Sequence, residues 1–302
     1  MPPIELVPRG PFSLAAARDF AGGFPAGIGG GGVAAESITL AFPIDGVDAS
    51  AAIELWQDAD GVVRGRTDAS PALLEGVLRQ ASRSLSLDHD GTGWPAVGER
   101  DPVVGNLQKG HEYLRPVCFY SAYEAVTSFV IGQRISRRQS AVIKRDLAER
   151  FGDRPTIASV EVPAFPRPTR LLELRDARGL NDEKVRRLHG LAQAALDGRL
   201  DTERLRAMPA EEALASLREL PGVGPFTADA VLYRGCGVVD GIPSSDELGQ
   251  TVIRDLYGLE TVTSEDVGRI SDVWRPYRMW AVVLLRVGWT RTQGANTSYR
   301  RR

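Results

Sequence analysis

Leu220-Pro221-Gly222-Val223-Gly224, running on into Pro225-Phe226-Thr227-Ala228, decides how the rest of the chain is read. Pro221 lacks an N–H and clashes with the preceding turn, so it stops the helix that ends in Leu217-Arg218-Glu219-Leu220. The two glycines permit a tight hairpin and keep side chains out of the way of whatever approaches the backbone. Val223 can plug the turn into a core, and a second helix is predicted at once, over Thr227–Arg234. Backbone N–H groups at the start of a helix are a ready anion seat, and a DNA phosphate is a natural anion for it. An ordinary αα-hairpin turn with no ligand has the same residues, and the pentapeptide alone leaves both readings open.

Working outward, 302 residues suffice for two domains or one elaborated one. No apolar run approaches the roughly 20 residues of a membrane helix, and the start, Met-Pro-Pro-Ile-Glu-Leu-Val-Pro-Arg, lacks the pattern of a signal peptide. A cytoplasmic, nucleoid-associated protein is the expectation. The two cysteines, Cys118 and Cys236, read as buried thiols, and His89, His111 and His189 are isolated from one another, so no metal-ligand spacing exists. A net charge of −2 argues against an indiscriminate nucleic-acid binder, but its distribution is uneven: residues 1–100 hold 13 acidic and 7 basic side chains, the remainder a basic excess. Arg134, Arg137, Arg138, Lys144 and Arg145 form one basic cluster, and eight arginines between Arg269 and Arg302 form another. Each fits either a phosphate-facing surface or a plain solvated face.

The first hundred residues read as a small α+β domain. A short helix spans Leu14–Phe20, before the Gly29-Gly30-Gly31-Gly32 run. Strands follow at Ser37–Phe42 and Ala52–Trp56, then an Asp58-Ala59-Asp60-Gly61 hairpin into Val62–Arg66, then a helix over Leu73–Leu87. Gly91–Gly110 reads as the passage out. From about Ser121 the texture is helical: Ala122–Ile135 continuing into Ser140–Phe151, then Asp182–Leu196 capped by Asn181, Thr202–Arg206, Glu211–Leu220, Leu248–Tyr257, Ser264–Ile270 and Tyr277–Val287. The expected division is a domain of residues 1–110 and a helical domain of 111–302.

Asp246 lies 22 residues beyond Gly224, after Pro243-Ser244-Ser245. It is a competent helix cap for Glu247-Leu248, and equally a carboxylate able to face a cleft. Asp229, Asp240 and Glu247 compete for the second role; Asp229 is expected to face solvent and Asp240 to stabilise its loop.

From Arg115 to Trp289 the chain resembles the helix-hairpin-helix DNA glycosylase superfamily, and within it the 3-methyladenine DNA glycosylase II, or alkylation-repair, branch. The resemblance rests on Val130-Ile131-Gly132-Gln133-Arg134-Ile135-Ser136, Leu180–Leu188, Leu220–Ala228, Asp240–Asp246 and Trp274-Arg275-Pro276-Tyr277-Arg278, in that order. It implies an all-α glycosylase domain preceded by a TATA-binding-protein-like α+β domain, acting as a monomer on double-stranded DNA with damaged bases. The implied activity is monofunctional: hydrolysis of the N-glycosidic bond of alkylated purines, of 3-methyladenine or 7-methylguanine type, leaving an abasic site. Asp246 takes the catalytic position, where a carboxylate stabilises the positive charge that develops on the sugar. Gly222, Val223, Gly224 and Thr227 would hold the DNA backbone. No cofactor is required, although the carbonyls of Leu220, Gly222 and Val223 could hold a structural Na⁺ or K⁺.

Phe226 stands where lyase members of the superfamily carry a Schiff-base lysine; a ring cannot be that nucleophile but can stack on an electron-poor base. The resemblance puts Tyr277 and Trp274 beside Phe226 in the base pocket, although Trp274 and Trp280 also suit a core. Ala230 replaces a further pocket aromatic, and Gln133 is the candidate wedge for the gap left by an extruded base. Two other functions fit these motifs: a non-catalytic helix-hairpin-helix protein that binds damaged DNA, and a glycosylase for deaminated or oxidised purines.

Overall fold

A computed structural model describes residues 4–22 and 36–299, with the backbone alone for 292–299. The glycine run at 29–32 and the arginines at 300–302 therefore lie outside the described residues. The N-terminal part is a four-stranded antiparallel sheet in the order β1-β4-β3-β2, with β1 at Ile4–Leu6, β2 at Ile38–Pro43, β3 at Ser50–Gln57 and β4 at Val63–Thr67. The predicted Asp-Ala-Asp-Gly turn joins β3 to β4, with Gly61 at a φ of 83° and the Asp60 carboxylate accepting from the Val62 N–H. The central strand is buried along Ala51–Leu55, and its core includes residues of the helices Leu14–Gly22 and Pro71–Ser84. Ala41 and Ala52 form a separate small cluster with Ile157 and Ala164 of the helical part. Their small side chains let a two-residue hairpin, Thr156–Ile157 with Val160–Glu161, sit close to β3.

Gly91–Gly110, read from sequence as a passage, instead contains two short helices, Trp94–Arg100 and Pro102–Gly110. Asp101 ends the first and caps the second, accepting from the Val103 N–H at 2.9 Å. They cross where Gly98 and Gly105 face each other; a Cβ on Gly105 would lie 2.4 Å from the Gly98 carbonyl oxygen. Trp94, Val97 and Val104 pack with the helical core, so these residues group with the second half of the molecule. Two buried arginines tie the halves together. Arg83 pairs with Asp45 and Glu203 and donates to the Tyr120 carbonyl, while Arg115 donates to the carbonyls of Pro11 and Ser86. Cys118 and Cys236 are both buried and unbridged.

The helical body follows the predicted segments with one break. Ala122–Gly132 does not run on toward Phe151: Arg134 turns to a φ of 58°, and Ser136 opens a new helix, Arg137–Phe151, through a reciprocal capping box with Gln139. Where these two helices pack, Glu124 and Lys144 are both buried, so Lys144 leaves the basic cluster to which its neighbours Arg134, Arg137, Arg138 and Arg145 belong. Burial pushes the Glu124 carboxyl up to about 8 and the Lys144 ammonium down. The folded chain thus keeps a proton on Glu124 that the unfolded chain releases above about pH 4.5. The Glu124 contribution to native stability should fall as pH rises through that window and be lost above about pH 8. Melting curves of Glu124→Gln, which cannot titrate there, are expected to gain on wild type across the same window; parallel curves would refute a raised carboxyl.

Candidate active site

The hairpin forms as its residues require. The helix Ala210–Arg218 stops ahead of Pro221, Gly222 adopts a φ of 79°, and Val223 tucks into the helical core at 8% exposure while donating its N–H to the Leu220 carbonyl. Gly224 caps the helix Pro225–Ala230, which continues through Val231–Gly235 as a wider π turn. Behind the hairpin the neighbouring helices are laced to it. Gln133, at the end of Ala122–Gly132, donates through Nε2 to the Gly222 carbonyl at 2.8 Å and accepts from Arg187 at 3.1 Å. Lys184 closes the same helix end by donating to the carbonyls of Ile131 and Gln133. Gln133, the candidate wedge, is here a latch on the hairpin with its amide engaged at both ends, and Arg134 next to it is exposed.

Two of the carbonyls offered for a monovalent cation each accept one hydrogen bond, which leaves each a second lone pair. Leu220 already accepts from Val223 and Gly222 from Gln133, and the Arg187 side chain lies against Gly222. Among the described residues, no group of three or more His, Cys, Asp or Glu side chains could hold a metal ion.

Asp246 begins the helix Glu247–Leu256 and is only 6% exposed. Both of its oxygens are engaged: Oδ1 accepts from the Gly249 N–H at 3.0 Å, and Oδ2 is ion-paired to Arg286 of the helix Arg278–Tyr299. The two readings left open by the sequence thus coincide, since the capping carboxylate also lines a cavity of about 1000 Å³. That cavity lies between the two halves of the molecule. Its wall includes Ala16 and Phe20 from the N-terminal side, and His111, Phe119, Phe129, Phe226, Thr227, Asp229, Asp246 and Arg286 from the body. Phe226 is 49% exposed and meets Phe129 edge-on at 6.0 Å; Phe129 in turn meets Phe119 at 5.5 Å.

Three expectations need correction. Trp274 is fully buried and donates its indole N–H to Asp101 at 2.7 Å, so it is core. Tyr277 packs its ring at a tilt against Trp280 and Trp94 and donates to the Asp90 carbonyl at 2.7 Å; it does not line the cavity that holds Asp246. Asp229 faces inward, at 1% exposure, and accepts from Ser244 and Ser245 on the loop before Asp246. Of the other competing acids, Asp240 is held by Arg275 and Arg278, and Glu247 is exposed. Thr227 is buried on the cavity side of the hairpin helix, while Gly224 is open to solvent. Sequence reasoning missed Phe119, Phe129 and Arg286. Arg286 lies eight residues past the start of the long helix Arg278–Tyr299, within an apolar run, and no local pattern marked it as the partner of Asp246.

No protein-family model matches the chain. Among curated proteins it is similar to the DNA-3-methyladenine glycosylase of Bacillus subtilis strain 168, 25% identical over 222 residues, covering 70% of this chain and 71% of that one. It is also similar to DNA-3-methyladenine glycosylase 2 of Escherichia coli strain K12, 28% identical over 187 residues, covering 60% and 62%. Among solved structures, a 3-methyladenine DNA-glycosylase from Archaeoglobus fulgidus superposes with a TM-score of 0.77 at 20% identity, over 94% of this chain and 97% of that one. The chain has the helix-hairpin-helix glycosylase fold. The resemblance carried by the five motifs extends, in this glycosylase fold, to nearly the whole chain, including its N-terminal sheet.

Gly249 leaves the room that Asp246 occupies: a Cβ there would lie 2.5 Å from Oδ2. Gly268, in the helix Ser264–Asp272, has open space around it. Gly268→Ala should raise stability by up to about 1 kcal/mol, the usual helix gain. Gly249→Ala should lower the melting midpoint despite the same gain in propensity, because the carboxylate must leave Arg286. A rise at both positions would show that Asp246 is not held as described.

Proposed function

We propose that the protein is a monofunctional DNA glycosylase that hydrolyses the N-glycosidic bond of alkylated purines in duplex DNA and leaves an abasic site. One observation carries this reading: the buried, ion-paired Asp246 and the exposed ring of Phe226 line the same cavity, at the foot of a glycine hairpin. The relatives, named as 3-methyladenine glycosylases, support the same class.

The chemistry follows from these positions. The damaged nucleotide leaves the base stack, because its glycosidic bond cannot be reached inside the duplex. The base enters beside Phe226 and Phe129, whose rings suit an electron-poor purine. As the bond to the base lengthens, positive charge builds on the sugar, and the Asp246 carboxylate stabilises it. Arg286 and the Gly249 N–H fix that carboxylate in advance, so little reorganisation is needed during the reaction. Water completes the hydrolysis at C1′. A base that already carries positive charge is a good leaving group and needs little further help. The hairpin N–H groups around Gly222 and Gly224 hold a phosphate of the DNA backbone, and the exposed Arg134, Arg137 and Arg138 on the adjacent segment add to that grip. Phe226 offers no amine to the sugar, so strand cleavage is not part of the reaction. The N-terminal sheet and its helices are read as the TATA-binding-protein-like unit that closes the other side of the cleft.

The engagement of both Asp246 oxygens is also what a purely structural cap would show, which keeps a non-catalytic DNA-binding protein as the second reading. Duplex oligonucleotides carrying 3-methyladenine or 7-methylguanine, treated with alkali after incubation, separate the two. Wild type is expected to yield alkali-labile sites and no nicks before alkali. Asp246→Asn is expected to lose about 100-fold or more in rate while still binding DNA. Full activity in Asp246→Asn would move catalysis elsewhere, and nicking without alkali would contradict the role given to Phe226.

A further inference from the structure

Asp229 has half of its carboxylate unaccounted for. Its Oδ2 accepts from the Ser244 hydroxyl at 3.2 Å and from the Ser245 N–H at 3.1 Å, which braces the loop leading to Asp246. Its Oδ1 is buried and, among the described residues, has no hydrogen-bond partner. A buried carboxylate oxygen without a donor is costly, so such an atom points to a ligand group that completes it. Asp229 lies one helical turn beyond Phe226 on the hairpin helix, hence on the same side of it, and both residues line the cavity. The Ser128 hydroxyl, on the wall formed by Ala122–Gly132, is likewise buried without a partner and lines the same cavity. Unpartnered nitrogens on the cavity wall include His111 Nε2 and Arg286 Nε, and the latter belongs to the guanidinium that holds Asp246 and so lies at the sugar end.

We propose that Asp229 reads the extruded base: its unpartnered Oδ1 accepts a hydrogen bond from an exocyclic amine, so the cavity prefers amino-purines to their oxo counterparts. This rests on the glycosylase reading of the same cavity and adds to it the chemical class of base that is favoured. The aromatic wall stacks on any purine and distinguishes them weakly. A buried acceptor distinguishes them strongly, because a carbonyl placed opposite leaves two acceptors facing each other with no proton between them. Asp229 contacts the base and not the sugar, so its substitution changes which base is removed more than whether hydrolysis occurs.

The test compares single-turnover excision of 7-methyladenine and 7-methylhypoxanthine, which share the alkylated leaving position and differ only at C6, amino against carbonyl. In Asp229→Asn the amide oxygen can keep the brace to Ser244 and Ser245, while its N–H groups take the place of the acceptor. Wild type is expected to favour 7-methyladenine, and the ratio of the two rates should fall by about tenfold or more in the variant, as loss of a hydrogen bond to a charged group implies. A purely structural Asp229 would slow both substrates alike; an unchanged ratio overturns the proposal. A second measurement uses wild type alone, so it stands even if the variant does not fold. Free adenine should inhibit excision about tenfold more strongly than free hypoxanthine, and equal inhibition, or stronger inhibition by hypoxanthine, also overturns it. Wild type inert on both duplexes would instead sink the glycosylase reading, and this assignment with it.

Discussion

A carboxylate at 6% exposure is costly unless its oxygens are satisfied, and the architecture around the cavity satisfies both of those of Asp246. The helix Glu247–Leu256 presents its N-terminal N–H groups, and Asp246 takes one of them as a cap. The opposite charge comes from Arg286, which is 40 residues away in sequence and on a different helix. The pair therefore exists only when the helix Glu247–Leu256 and the C-terminal helix are docked. Removing Arg286 would leave the Asp246 charge buried and unpaired, which costs far more than an exposed ion pair contributes, whereas Arg286, at 31% side-chain exposure, can turn to water when Asp246 is replaced. Gly249 belongs to the same arrangement, since no larger residue leaves room for the carboxylate.

The second requirement is that the hairpin keep a fixed position relative to that carboxylate. Val223 anchors it from below, and Gln133 and Arg187 hold the Gly222 carbonyl and backbone from the side. Asp229 links the hairpin helix directly to the Ser244-Ser245 loop. The element that would grip DNA and the element that carries the acid are thus joined by hydrogen bonds, not by packing alone. The N-terminal half adds the facing wall of the cleft and is held in place by the buried Arg83 and Arg115.

What the sequence revealed were features written in local chemistry. The Pro-Gly-Val-Gly turn, the Asn181 cap and the Asp-Ala-Asp-Gly hairpin each depend on a few adjacent residues, and each formed as expected. The helices in 94–110 escaped notice because glycines at 98 and 105, which serve a close helix crossing, look like loop residues in sequence. Pairings across the fold were invisible for a different reason. Arg286 sits in an apolar run, Asp229 has a spacing that suits either face of a short helix, and Phe129 reads as ordinary core. Trp274 and Tyr277 lie in a segment whose resemblance to glycosylases implied a base pocket, yet it forms a helix junction, so their aromatic surface is spent on Trp280, Trp94 and Asp101.

The central claim is that Asp246 presents negative charge to a cationic sugar. It is tested most directly by binding, free of any question of leaving group. Affinities should be compared for duplexes bearing a cationic pyrrolidine and a neutral tetrahydrofuran in place of the damaged nucleotide. The account predicts that wild type binds the pyrrolidine duplex about tenfold or more tightly than its neutral counterpart, and that Asp246→Asn loses that preference while binding the neutral duplex as before. Equal affinities in wild type, or a preference that survives in Asp246→Asn, would contradict it.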